Sequence, residues 1–246
     1  MPVSGWADAA VLTFLIIPLG LVAALAWGVH AASRRLGEAD LVRRRAVATT
    51  VAVAAGWMTG TWAAADSGVL RLWDRTPPPF ALLAAGIASL GITMALSGYG
   101  RRLARGLPLW TLVAVQGFRL PLELAMHSLY ERGVMPVQMS YSGRNLDIVT
   151  GGTALAVAWL AATGRGGRRL VLAWNVLGLI LLVNVVTIAI LSTPRFRHFG
   201  DDRLNVWVTY PPFVWLPAVM VLAALAGHLL IFRALNVRTQ AADPAT

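Results

Sequence analysis

The sequence predicts an all-α protein, a polytopic transmembrane helical bundle. Three observations carry that expectation. Of the 246 residues 57% are apolar and only 13% charged, with a mean hydropathy of +0.66, a balance that excludes an ordinary soluble domain. The apolar residues fall into runs close to the length that crosses a bilayer, about 20 residues. The basic residues gather in short clusters between those runs, as loop arginines of a membrane protein do.

The runs lie at 9–31, 46–66, 80–98, 108–130, 147–163, 170–191 and 211–233. Seven spans within a single integral membrane domain, 1–246, is the expected count. Six is the alternative, because the fifth run is short and the fourth only moderately apolar.

The first run is read as a retained helix. VHA at Val29 to Ala31 resembles a signal cleavage site, but no basic residue precedes the run and it is too long for a signal peptide. In the second run Ala52, Gly56, Gly60 and Ala64 recur every fourth residue, a spacing that lets helices approach closely in lipid. TPPPF, Thr76 to Phe80, sets proline at the start of the third run, where a missing N–H costs nothing.

The fourth run holds the ionisable groups. On a helical wheel Tyr130, Glu123, Gln116 and His127 fall within about 80° of Arg119 at roughly 100° per residue. Leu112, Val115, Leu122 and Ala125 take the opposite side. A charged residue at mid-membrane costs about 2.5 to 3.5 kcal/mol, so this polar stripe must face the bundle interior. Arg119 and Glu123 are within reach of each other, but arginine before glutamate is the less favourable order on an isolated helix. Pro121 cannot donate to the carbonyl of Gly117, which predicts a kink and a free acceptor near Arg119.

The fifth run repeats the small-residue spacing at Ala154, Ala158 and Ala162. Before it, Asn145 or Asp147 is suited to cap its N-terminus, and the Tyr141 to Asp147 loop would close the outer mouth of a polar cavity. In the sixth run Asn175 and Asn184 are nine residues apart and point to opposite sides; interhelical hydrogen bonding accounts for either. YPPF, Tyr210 to Phe213, opens the seventh run. Trp73, Trp207 and Tyr210 are placed as anchors at the outer interface.

Arginine sets the orientation. One set of alternate loops and the tail carries Arg34, Arg35, Arg43, Arg44, Arg45, Arg101, Arg102, Arg105, Arg165, Arg168, Arg169, Arg233 and Arg238, 13 in all. The other set carries 7: Arg71, Arg75, Arg132, Arg144, Arg195, Arg197 and Arg203. The richer side is cytoplasmic, which puts the N-terminus outside and the C-terminus inside.

Composition also excludes functions. There is no cysteine, hence no disulfide framework, thiolate metal site or catalytic thiol. All 21 basic residues are arginine. That usage, with abundant alanine and glycine, points to a GC-rich bacterial genome, and the absence of lysine removes a retinal Schiff base. The net charge of +10 is explained by membrane orientation, not nucleic-acid binding. His30 and His228 fall near the cytoplasmic side and His127 and His198 near the outer side, so they do not make one metal centre. HFGDD, His198 to Asp202, reads as a solvated outer loop. No HExxH, GxSxG or phosphate-binding glycine loop is present.

The region Gln116 to Ile148, with Trp174 to Pro194 and Tyr210 to Leu230, resembles an uncharacterised family of small bacterial multi-pass membrane proteins. The resemblance is carried by the fourth run and its GRNLDI loop. It implies a membrane protein, and no activity or site residue.

The expectation is therefore a multi-pass protein of the bacterial inner membrane, with the lipid bilayer and a small solute or ion as partners and no cofactor or bound metal. Its ligand- or proton-binding candidates are Gln116, Arg119, Glu123, His127, Tyr130, Asn145 and Asp147. Arg119 would hold an anionic group or organise Glu123, while Glu123 and His127 would be the titratable pair of a site that binds or transports a small solute or ion with proton coupling. Two alternatives stand beside it: an intramembrane enzyme using Glu123 with His127 or His198, and a structural or assembly subunit whose charges only fix helix packing.

Overall fold

The computed structural model describes residues 8–242, and side chains through Val237, so the side chain of Arg238 lies outside the described residues. The chain is all-helical over this range, and no strand occurs among the described residues.

Helix α1, Ala9–Arg35, starts at Asp8, whose side chain accepts the N–H of Ala10. It packs against α2, Asp40–Asp66. Helix α3, Pro79–Leu96, has the expected proline in its first turn. A short helix, α4 (Gly98–Gly106), returns the chain to α5, Leu109–Val115. The fourth apolar run is not one regular helix. Gln116–Phe118 forms a 3-10 turn between α5 and α6, Arg119–Glu131, just before Pro121. The lost proline donor is the local cause of that change in winding.

Helix α7, Ile148–Ala162, is short and apolar, and α8 spans Arg168–Leu191. The last run departs from expectation. Helix does not begin at YPPF; a turn precedes a π-helical stretch, Leu216–Val221, which leads into α9, Leu222–Ala242. The Trp57 indole donates to the Ala218 carbonyl in that stretch at 2.8 Å. Trp57 thus satisfies an acceptor in the wider π turn, where i to i+4 pairing is lost.

By length and composition four helices are suited to cross a membrane: Ala9–Arg35, Pro79–Leu96, Arg168–Leu191 and Leu216–Val237. The bundle ends are tied by different contacts. At the arginine-rich end the Arg233 guanidinium donates to the Ala95 and Ser97 carbonyls at 2.6 and 2.8 Å, which covers acceptors left open at the end of α3. At the other end Phe14, Trp207 and Phe213 stack edge to face with centroids 5.1 to 5.7 Å apart.

Two expectations change here. Trp207 is fully buried in that aromatic cluster and is no interface anchor; the apolar shelter of Phe14 and Phe213 outweighs its one polar edge. The stripe in α2 is also not a packing seam within the chain. Ala52, Gly56 and Gly60 are exposed, and a Cβ at either glycine would meet nothing within 4 Å. In α7, by contrast, Ala154 and Ala158 are buried.

Candidate functional site

The polar stripe of the fourth run divides in two. Gln116, Arg119 and Glu123 are buried to 0%, 1% and 2% exposure. His127 and Tyr130, further along α6, are only partly buried. His127 Nδ1 meets the hydroxyls of Ser140 and Ser142 at 2.9 and 3.3 Å, Nε2 faces Glu131 at 3.5 Å, and Tyr141 stacks on the ring. Among the described residues no hydrogen bond joins His127 to Glu123, so these two do not form a contacting pair.

Arg119 is held from two other helices. Its Nε donates to Asp147 Oδ2 at 2.6 Å, and its Nη2 lies against Oδ1 of the same carboxylate. The fork-to-fork pairing is the strong, directional form of an arginine–carboxylate contact. Asp147 stands at the N-cap position of α7 but makes no side-chain capping bond. Its carboxylate is committed to Arg119, which corrects the capping role expected for it. Asn145 supplies the local turn instead, with Oδ1 accepting the Asp147 N–H at 3.0 Å.

The second partner of Arg119 is His228. Arg119 Nη1 lies 2.8 Å from His228 Nε2, and His228 Nδ1 lies 2.8 Å from Asn175 Oδ1. A guanidinium has donors only, so Nε2 must accept and the ring proton sits on Nδ1, where it is donated to Asn175. Asn175 Nδ2 closes the pair by donating to the His228 carbonyl at 3.1 Å. Four helices, α6 to α9, thus meet in one chain of hydrogen bonds.

Glu123 makes no hydrogen bond or ion pair with the guanidinium among the described residues. Its Oε2 accepts from Asn145 Nδ2 at 2.8 Å, and the same amide donates to the Met139 carbonyl at 3.0 Å. No ion pair reaches Glu123 among the described residues. The buried group therefore holds two carboxyl groups, one guanidinium and one neutral imidazole.

Glycines make the space. A Cβ on Gly178 would sit 2.5 Å from His228 Cε1, and one on Gly227 would sit 2.0 Å from Gln116 Nε2. Gly151 likewise brings α7 against the backbone of Arg119 and Leu120. One turn earlier on α7 is Asp147, so that close approach is what carries its carboxylate to Arg119.

A cavity of about 50 Å³ adjoins the cluster, lined by Arg119, Glu123, Asp147, Phe118, Met139 and Met220 among others. It is far below the roughly 300 to 1,000 Å³ of a small-molecule pocket; its walls are mostly apolar side chains, with Arg119, Glu123 and Asp147 at one edge.

His228 and Asn175 were not among the ligand- or proton-binding candidates, although interhelical hydrogen bonding was expected of Asn175. Both are isolated polar residues in apolar runs, and for each an adjacent or third-neighbour glycine, Gly227 or Gly178, was the available signal. Asn184 points away, donating to the Arg144 carbonyl at 2.9 Å. His30 and His198 are exposed and remote from the cluster.

No curated protein and no solved structure matches this chain. Residues 77–236, which include every member of the cluster from Gln116 to His228 and leave α1 and α2 outside, match a known family. On that match, over more than half of its length, the chain belongs to the uncharacterised family described as Domain of unknown function (DUF8737).

Proposed function

We propose that this chain is a multi-pass protein of the bacterial inner membrane that binds a proton or small cation at Glu123 and moves it in coupled transport. Seven spans are formed by α1, α2, α3, the α5–α6 segment, α7, α8 and the segment ending in α9. The N-terminus lies outside and the C-terminus inside, an orientation supported by 13 arginines against 7 on the two sets of loops.

The observation that carries the functional reading is the charge count. Asp147 balances Arg119, whereas Glu123 is 2% exposed and has one neutral amide as donor. An uncompensated carboxylate in a low-dielectric interior is strongly disfavoured, so the site is completed by one proton or one cation. Intramembrane ionisable groups of this kind mark ion and proton pathways. The adjacent cavity of about 50 Å³ is too small for an organic solute.

The test is infrared difference spectroscopy of proteoliposomes through pH steps, parental protein against Glu123→Gln. The parental protein is expected to give a protonated-carboxyl band that the variant lacks, and sodium or potassium should diminish the band if cation and proton compete. An identical band in both proteins would overturn the assignment to Glu123.

A packing role is favoured by a different observation, the closed Asp147–Arg119–His228–Asn175 chain, which is satisfied without any ligand. That role predicts Glu123→Gln to leave transport by reconstituted vesicles at the parental level.

A further inference from the structure

A second concave surface lies at the arginine-rich end of the bundle, far from Glu123. Pro108, Leu109 and Trp110 at the start of α5, Ala161 and Gly166 after α7, Arg168 at the start of α8 and Leu235 of α9 enclose about 270 Å³. The walls are mainly apolar, and Trp110 is 41% exposed. Nearby, the Arg165 guanidinium lies over the exposed Trp159 ring at 5.4 Å.

Charge at the rim is unbalanced. Arg165, Arg168 and Arg169 are exposed and form no ion pair among the described residues. The described acids of this end, Glu38 and Asp40, are already engaged with Arg102 at 3.0 Å and Arg43 at 2.6 Å. An apolar floor below a free cationic rim is complementary to an amphiphilic anion. The volume falls below that of a pocket enclosing a whole solute, about 300 Å³ or more, but suits a molecule whose tails remain in the bilayer.

We infer that this groove is a binding site for an anionic phospholipid of the leaflet at the arginine-rich face, its phosphate at Arg168 and the first part of an acyl chain against Trp110 and Leu235. Basic pockets between helices on the cytoplasmic side hold such headgroups, and indole rings favour this depth of the membrane. The site is independent of the proposal for Glu123.

The experiment is native mass spectrometry of the full-length, delipidated protein titrated with phosphatidylglycerol, phosphatidylcholine or inorganic phosphate. Phosphatidylglycerol is expected to be retained over phosphatidylcholine. Arg168→Gln should weaken its retention about fivefold, the effect of one arginine–phosphate contact. Trp110→Ala should weaken it too, while Arg101→Gln, an exposed charge on α4 outside the groove, changes it less than twofold. Equal retention of both lipids, unchanged retention in Arg168→Gln and Trp110→Ala, or an equal loss in Arg101→Gln would overturn the inference. Displacement of the lipid by inorganic phosphate at equal concentration would overturn it as well, leaving an anion site without lipid character.

Discussion

Truncating Arg119 tests the heart of the cluster, because its consequences differ from those of truncating both partners. Arg119→Ala leaves the Asp147 carboxylate 4% exposed with its bidentate donor gone, and leaves His228 Nε2 without the donor now at 2.8 Å. Breaking one side of a buried ion pair costs about 3 to 5 kcal/mol, and an orphaned buried acceptor costs a further 1 to 3 kcal/mol or so. The expected loss is therefore at the top of that range or above it. Asp147→Ala strands the guanidinium instead and falls within about 3 to 5 kcal/mol. The double variant removes both charges, so it should be more stable than the sum of the singles by roughly 2 to 3 kcal/mol, the upper part of the span seen for coupled neighbours. Reversible unfolding in mixed micelles, followed by tryptophan fluorescence, measures all three. Additivity of the two single losses within about 0.5 kcal/mol would refute the pairing of Arg119 with Asp147.

Further perturbations separate other parts of the structure. Glu123→Gln keeps an acceptor for Asn145 Nδ2 and removes a charge without a cationic partner, so unfolding should show a change below about 1 kcal/mol or a gain. Gly178→Ala drives a methyl to 2.5 Å from His228 Cε1 and should cost about 1 to 3 kcal/mol; combined with His228→Ala, which removes that clash, the losses should be less than additive in the same melt. Trp207→Ala should cost about 3 to 5 kcal/mol, because the ring is fully buried against Phe14 and Phe213, and a loss below 1 kcal/mol would return it to the interface. Gly60→Leu, with open space around its Cβ position, should leave stability within about 0.5 kcal/mol; a large loss would mean that α2 packs there after all.

The buried half of the cluster was legible in the sequence to the extent that cost makes a signal. Arg119 and Glu123 stand out because charge in an apolar run is expensive, and their spacing puts Gln116 on the same side. The wheel also drew in His127 and Tyr130, since it assumes one regular helix running at constant depth. Arg119, Glu123, His127 and Tyr130 do lie on one regular helix, α6, but at different depths: its end leaves the buried region, where Ser140 and Ser142 meet His127. Partners across helices were not legible. Asp147 reads locally as a cap, and only the approach of α7 at Gly151 turns its carboxylate to Arg119. Likewise His228 reads as a residue of the cytoplasmic rim until Arg119 reaches it from α6.

Irregular backbone favours the proposed ion site over a packing role for the cluster. Two departures from α geometry occur in the long apolar segments, the 3-10 turn at Gln116–Phe118 and the π stretch at Leu216–Val221. Both border the same small cavity: Phe118 lines it from one side and Leu216, Met220 and Val221 from the other, with Glu123 between them. Within a membrane, carbonyls freed by such turns are tolerated where they are buried in protein or line a cavity, and π turns recur at functional sites. A network whose sole task was to lock helices would be served by regular helices, which keep every backbone group paired. Here two neighbouring segments give up that regularity beside one carboxyl group that no ion pair reaches, a coincidence that supports the proposed proton or cation site at Glu123.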